Sequence, residues 1–312
     1  MEAWNRVVLA ASALHALVGA ACGCPDDEVV TTDREVDLGS WRQKTAVSGT
    51  SGETHSYLHL PSQSQYAPAM VLLPGLLFDS RIFVHLEELA ERFELFAWNY
   101  PEDSPHYTGD QLDLPRLLDD FVATVGIERF VLLGNSLGGF VAMQYFRVED
   151  HRPVDALILV SAQMFDATER DRRRRERMAR FMSKRSDEFL LCAIKRMVLR
   201  ARRHETGPGP ENGVFDIFEM KDVAFYREVI GFMGSYDGES GKDLVEAPVL
   251  VLHGSEDQLI DVEKTSHTLE FLPQADLVVV EGVAHEGPFS HGDVFSKEIL
   301  DWYAETLGAS SP

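Results

Sequence analysis

Cysteine is scarce in this chain: 312 residues hold three, Cys22, Cys24 and Cys192. Two share one short N-terminal stretch, so no disulfide framework is implied. No matching Cys/His pair follows at zinc-ligand spacing, and no metal site is expected. Positive charge is scarce too, with 29 Lys and Arg against 51 Asp and Glu, a formal net charge of −22. That balance favours solubility and argues against nucleic acid as a partner. Nor is any apolar run long enough to span a bilayer comfortably. The nearest, Val7 to Ala21, is alanine-rich, interrupted by His15 and of signal-peptide length. Gly19, Ala20 and Ala21 precede Cys22, and acidic Asp26 to Glu28 follow, as in a bacterial lipoprotein signal. Glu2, and Gly19 where such signals prefer leucine, fit instead a frayed helix or a start placed too far upstream. Location stays open between cytoplasm and export, and oligomeric state is not legible.

What the chain does have is a repeating rhythm. Its hydrophobic content of 45% suits a soluble globular protein large enough for one big domain, with or without an insertion. Trp41 to Val47 and Ser56 to Leu60 read as an antiparallel pair joined by a Ser48–Gly52 turn. Met70 to Leu73, Phe93 to Tyr100, Phe130 to Leu133, Ala156 to Val160, Pro248 to Leu252 and Asp276 to Val280 follow as apolar strands. Between them, helical spacing appears after Asp79-Ser80 as far as Ala90, over Leu112–Val125, after Ser136, over Val262–Leu272 and over Val294–Leu307. Strands alternating with amphipathic helices predict an α/β fold, a mostly parallel sheet with helices on both faces. In such sheets reactive groups gather at the C-terminal strand ends.

One stretch organises the rest. Phe130 to Leu133 runs into Gly134-Asn135-Ser136-Leu137-Gly138, a G-x-S-x-G corner, and a helical pattern follows. A strand turning abruptly into a helix strains its corner residue, and only glycine on either side lets the backbones pass closely. Ser136 would project at the sheet edge, with the Leu137 N–H at the helix start aimed where an oxyanion forms. A serine at its free pKa needs a base and a third group to fix the base's tautomer. Asp257 lies just past the strand ending at Leu252, and His285 just past the one ending at Val280. Serine, acid and histidine thus fall on loops at one sheet edge. Glu256 and Asp261 compete for the acid's role, and His253, inside the strand–turn motif, reads as structural.

These residues carry a resemblance to the α/β-hydrolase-fold serine hydrolases, over roughly Val36 to Leu307 apart from an insertion. The resemblance implies Ser136 as nucleophile, His285 as general base and acid, and Asp257 as its orienter. Pro74-Gly75 matches the family's oxyanion loop, often His-Gly, so the Leu76 N–H would join that of Leu137. No metal or organic cofactor is implied, and the partner is a small-molecule carboxylic ester or similar acyl substrate. Serine in place of aspartate argues against epoxide opening and halide displacement. Leu73-Pro74-Gly75 does not match the Gly-Gly-x-Pro of proline iminopeptidase relatives. Gly134 to Gly139 is also similar to the elbow of hydrolases that cleave carbon–carbon bonds in ring-fission products. Those place tryptophan where this chain has Glu286. A non-catalytic binding member of the fold is the other alternative, although such members typically lose the serine or histidine.

The expected division is residues 1–34, the apolar segment and acidic linker; 35–165, first part of the core; 166–243, a helical cap; and 244–312, the rest of the core. Within the cap, Glu169–Arg185 and Asp187–Arg203 read as helices, Gly207–Gly213 as a loop, and Val214–Met233 as an aromatic-rich stretch. Phe215, Phe218 and Phe225 are candidate pocket residues. Residues 170–203 hold 14 Lys and Arg and four Asp and Glu, a net +10 that leaves −32 on the remainder. The basic residues either complement the acidic core and pair along the helix, as Glu176 with Arg180, or, through Arg172 to Arg175, attract anionic substrates or a membrane surface. Membrane contact through the N-terminal segment or the basic cap is therefore an open expectation.

Overall fold

The computed structural model describes residues 24–25, 36–101, 113–162, 169–202, 218, 220–237 and 239–308. The apolar runs become strands β1 (Arg42–Val47), β2 (Thr54–Leu60), β3 (Ala69–Leu73), β4 (Glu94–Trp98), β5 (Phe130–Asn135), β6 (Val154–Val160), β7 (Val249–Gly254) and β8 (Ala275–Val280). They form one sheet in the order β1-β2-β4-β3-β5-β6-β7-β8. β2 runs antiparallel to both β1 and β4, and every pairing from β4 across to β8 is parallel. Met70 to Leu73 and Phe130 to Leu133 are fully buried, as strands covered on both faces must be. The chain reverses direction across the sheet between β3 and β5, and the crevice beyond those two strand ends is where such sheets bind ligands.

Helices α1 (Leu114–Thr124), α2 (Leu137–Tyr145), α3 (Glu169–Met182), α4 (Asp187–Arg202) and α5 (Val223–Ser235) follow in chain order. After β7 come the single-turn helices α6 (Val262–Thr265) and α7 (Thr268–Phe271), then α8 (Gly287–Ser290) and α9 (Gly292–Thr306). The Asp113 side chain caps α1 by accepting the Arg116 N–H, and Pro115 sits in the first turn, where it costs no hydrogen bond. α2 is buried on nearly every side, Gln144 excepted. Its first turn lies so close to β3 and β5 that a β-carbon on Gly138 would overlap the Leu73 carbonyl. One on Gly134 would overlap the Gly138 carbonyl.

Two expected helices are broken. After Asp79 the chain forms two 3-10 turns, Ser80–Phe83 and Glu87–Glu91, instead of one helix to Ala90. The Trp41 indole N–H donates to the Val84 carbonyl at 3.1 Å, the acceptor a continuous α-helix needs for its next turn. Ile82, Phe83, Leu86 and Leu89 still reach the core. The stretch Val262–Leu272 splits into α6 and α7 because the Ser266 hydroxyl donates to the Glu263 carbonyl and the following amides bond three residues back instead of four.

Between β6 and β7 the described residues include helices α3, α4 and α5. α3 packs along α5, and α5 meets the core through Phe225, Tyr226 and Val229. Of α3, only Met182 is buried.

The close packing at α2 predicts that Gly134→Ala lowers unfolding stability by about 3 kcal/mol or prevents folding. Gly231→Ala, at an exposed position inside α5 with open space where the methyl would go, raises it by about 0.5–1 kcal/mol. Thermal unfolding of the two variants checks both signs.

Candidate active site

The register of the parallel strands brings three loops to one edge. Asn135 pairs with Val160, Val160 with Leu252, and Leu252 with Val278, so the residues following β5, β7 and β8 leave the sheet on the same side. Ser136 follows β5 with φ +53° and ψ −111°, a conformation L-residues rarely adopt. Its N–H donates to the Val160 carbonyl at 2.9 Å and its carbonyl accepts from Gly139 at 3.0 Å, so the strain is held from both neighbours.

The Pro74-Gly75 loop lies against this corner. A β-carbon at Gly75 would sit 3.3 Å from Ser136 Cβ and 3.2 Å from Asn135 Oδ1, closer than a side chain comfortably packs. The Tyr100 hydroxyl donates to the Pro74 carbonyl at 2.8 Å and fixes the loop's start. Leu76 follows directly. Tyr100 was not singled out from the sequence; its only signal there is its place at the end of an apolar strand, before Pro101.

The loops after β7 and β8 are stitched together by their backbones. The N–H groups of Ser255 and Glu256 donate to the carbonyls of Val280 and Val283, both at 2.9 Å. Gly254 is pressed so closely on Val283 that a β-carbon would overlap its carbonyl. This contact delivers His285 to Asp257, with imidazole Nδ1 2.7 Å from Asp257 Oδ2. The other carboxylate oxygen accepts the N–H groups of Leu259 and Ile260, both at 2.8 Å. The Asp257 side chain is wholly buried. Burial pushes its pKa up, but the His285 charge and hydrogen bond, then His253 and the Ile260 N–H, pull it further down, so it stays ionised. Burial draws the His285 imidazole down, and the Asp257 carboxylate more than offsets this, leaving it above the ordinary value.

Among the described residues neither competing acid hydrogen-bonds to the His285 ring. Glu256 is exposed, and Asp261 accepts the Glu263 N–H at 3.0 Å at the start of α6. Among the described residues Asp257 is the hydrogen-bond partner of the His285 ring, and no hydrogen bond joins that ring to Ser136. Glu286, next to His285, has its carboxyl raised above the usual range by burial. Ser161, one strand over from Ser136, is a second strained serine, at φ +47°. Among the described residues its buried hydroxyl has no hydrogen-bond partner. Nothing in the sequence marks it out.

Of the three aromatic candidates, Phe215 lies outside the described residues, as does the Gly207–Gly213 loop. Phe218 and Phe225 are buried in the main core, and Phe225 stacks on Tyr100 with ring centroids 6.1 Å apart. Arg172, Arg173 and Arg175 of α3 are engaged within the chain. Arg172 and Arg173 pair with Glu169, and Glu176 pairs back to Arg172 at 3.6 Å. Arg175 donates to the carbonyls of Met233, Gly234 and Tyr236. Among the described residues, no group of three or more His, Cys, Asp or Glu is placed to hold a metal ion. No helix among them is long and apolar enough to cross a membrane.

A parallel sheet whose central strand turns through a strained serine into a buried helix is an α/β-hydrolase fold. Residues 70–298 match the model of the alpha/beta hydrolase family, and the chain belongs to that family. An esterase from Exiguobacterium antarcticum is similar in structure, at TM-score 0.65 and 17% identity over 83% of this chain and 98% of the other. A thermophilic esterase from Thermogutta terrifontis gives 0.64 and 18% over 85% and 98%. A bromoperoxidase from Bacillus anthracis gives 0.63 and 14% over 84% and 99%. At these identities the likeness is one of fold. No curated protein sequence matches the chain. Family membership supports a hydrolase.

Since Asp257 is what lifts the His285 imidazole against its burial, Asp257→Asn leaves the burial alone. The His285 pKa is then expected to fall below the ordinary imidazole value of about 6.5, read by NMR titration of the ring. An unchanged titration would show that the carboxylate does not control it.

Proposed function

We propose that the protein is a serine hydrolase acting on a carboxylic ester or similar acyl compound. The observation that carries this reading is Ser136, held at φ +53° on the sheet edge where a buried carboxylate grips the His285 imidazole. Backbone strain of this kind persists only where the surroundings enforce it, and it concentrates at functional sites.

In this mechanism Ser136 Oγ attacks the substrate carbonyl while His285 Nε2 takes its proton. Asp257, bound to Nδ1–H, keeps the imidazole in the tautomer whose free Nε2 can act as base, and stabilises the imidazolium that forms. The backbone N–H groups of Leu76 and Leu137 receive the oxyanion of the tetrahedral intermediate. Support for Leu137 is its place at the start of α2, and for Leu76 the contact of the preceding Gly75 with Ser136. His285 returns its proton to the leaving alcohol, and the acyl group stays on Ser136. Water, deprotonated by His285, then attacks the acyl-enzyme; His285 gives that proton to Ser136 Oγ as the ester bond breaks and the acid leaves. The inserted helices α3 to α5 act as a cap over this site, and Phe225, through its stack on Tyr100, is the cap residue tied to the oxyanion loop.

No geometric feature favours carbon–carbon cleavage over ester cleavage. A binding role leaves both the strained serine and the Asp257–His285 pair without a purpose.

Ser136→Ala is expected to lower ester turnover by several orders of magnitude while leaving thermal unfolding near that of the parent. A fluorophosphonate probe should label the folded parent at Ser136 and leave the variant unlabelled. Folded protein with Ser136 unmodified would overturn the reading.

A further inference from the structure

His253 is a buried group that the mechanism above leaves idle. It is the next-to-last residue of β7, its side chain has no exposure, and it stands one turn from Asp257. A histidine filling space in a strand needs only that its two nitrogens be satisfied. This one is satisfied in a directed way. Nε2 lies 2.9 Å from the Ile260 carbonyl and 3.3 Å from Asp257 Oδ2, the oxygen that also holds His285. A carbonyl and a carboxylate can only accept, so Nε2 carries the proton. Nδ1 lies 3.1 Å from the Thr265 hydroxyl, which is itself fully buried and 3.5 Å from the Ala162 carbonyl. With Nε2 protonated, Nδ1 of the neutral ring is the acceptor and Thr265 the donor. The heavy-atom positions thus select one tautomer. Burial holds the ring below the ordinary imidazole value, so the second proton stays off.

We propose that His253 is a positioning residue for the catalytic acid: its Nε2–H, hydrogen-bonded to the Ile260 carbonyl and standing 3.3 Å from Asp257 Oδ2, holds the peptide beside the carboxylate and offsets part of its charge. This rests on the reading of Ser136, His285 and Asp257 given above. Asp257 then accepts from Leu259 and Ile260 on one oxygen and pairs with His285 on the other, with the His253 ring in electrostatic contact beside it. A carboxylate facing the positive end of a second N–H dipole holds the His285 imidazolium less tightly. His253 thereby keeps the base from becoming too strong to return its proton. The charged and titratable groups facing this set are Asp261 on the His253 side and Glu286 on the His285 side, with His291 beside Glu286.

The test is the pH dependence of fluorophosphonate labelling of full-length protein, for the parent, His253→Leu and His253→Gln. Leucine removes the donor, whereas the glutamine amide carries an N–H at the reach of Nε2. The expected result is an acid limb moved up by about half a unit in His253→Leu, near threefold slower labelling on that limb, with the parent profile restored in His253→Gln. Lost thermal stability with an unmoved acid limb in both variants would overturn the proposal and leave His253 as strand packing. Should His253→Leu fail to fold, ¹⁵N NMR of the parent decides. Nε2 protonated and Nδ1 bare from pH 5 to 9 supports the proposal; the opposite tautomer, or a ring that titrates in that range, overturns it. If Ser136 is labelled in no variant, the serine-nucleophile reading falls, and NMR of the two histidines still decides on the Asp257 contact.

Discussion

Backbone against backbone, with no side chain between, is the constraint at the centre of this molecule. Helix α2 starts so near β3 and β5 that neither Gly134 nor Gly138 has room for a β-carbon. The tight approach forces the chain through Ser136 in a conformation that residues other than glycine rarely adopt. It also sets the height at which the next loop arrives, because Gly75 packs on the same corner. The sheet supplies the rest. Register along β5, β6, β7 and β8 carries the loops after β7 and β8 to the same edge, where Gly254 repeats the device against Val283. Two backbone contacts of one kind therefore locate serine, acid and histidine, although the three lie far apart along the chain.

Electrostatics takes over where packing ends. An ionised carboxylate with no exposure is costly unless its lone pairs are occupied, and Asp257 accepts from two backbone N–H groups and pairs with the His285 imidazole, with the His253 ring in electrostatic contact. The two rings respond in opposite directions to the same neighbour. His285 is raised because its hydrogen bond to the charge is short and direct; His253 is lowered because burial outweighs a longer contact that it shares with a carbonyl. One ring is thereby made more basic than an ordinary imidazole and the other less, a divergence that fits the general-base role proposed for His285.

Local chemistry was legible in the sequence; long-range competition for hydrogen bonds was not. Apolar runs gave the strands because a strand covered on both faces leaves no polar alternation to misread, and the glycines around Ser136 announced a tight corner. The helix expected after Asp79 failed because a tryptophan 43 residues earlier takes the Val84 carbonyl, which no local spacing encodes. The helix over Val262–Leu272 failed for a nearer reason, a serine hydroxyl competing for a carbonyl one turn back. Gly75, Tyr100 and Thr265 illustrate the same limit at the site. Each acts through one atom on a partner remote in the chain, Ser136, Pro74 and His253, and none belongs to a pattern that spacing alone reveals.

The charge asymmetry has a structural use. α3 buries Met182, and Met178 and Phe181 in part, a narrow apolar face to hold a helix of 14 residues in place. Its cations take over part of that work. Arg172 and Arg173 pair with Glu169 at the helix start, where an acid also favours the dipole, and Arg175 occupies three carbonyls at the end of α5. Arg227 of α5 in turn binds the Ser183 and Arg185 carbonyls and Asp187 in the turn between α3 and α4. Exposed ion pairs contribute little one by one, but carbonyls at helix ends have few other partners, and a guanidinium satisfies several at once. α3 is thus fastened to α5, α5 to the core through its aromatic face, and Phe225 of that face to Tyr100. From Tyr100 a hydrogen bond reaches the Pro74 carbonyl, so an aromatic stack and a hydroxyl connect the inserted helices to the loop beside Ser136.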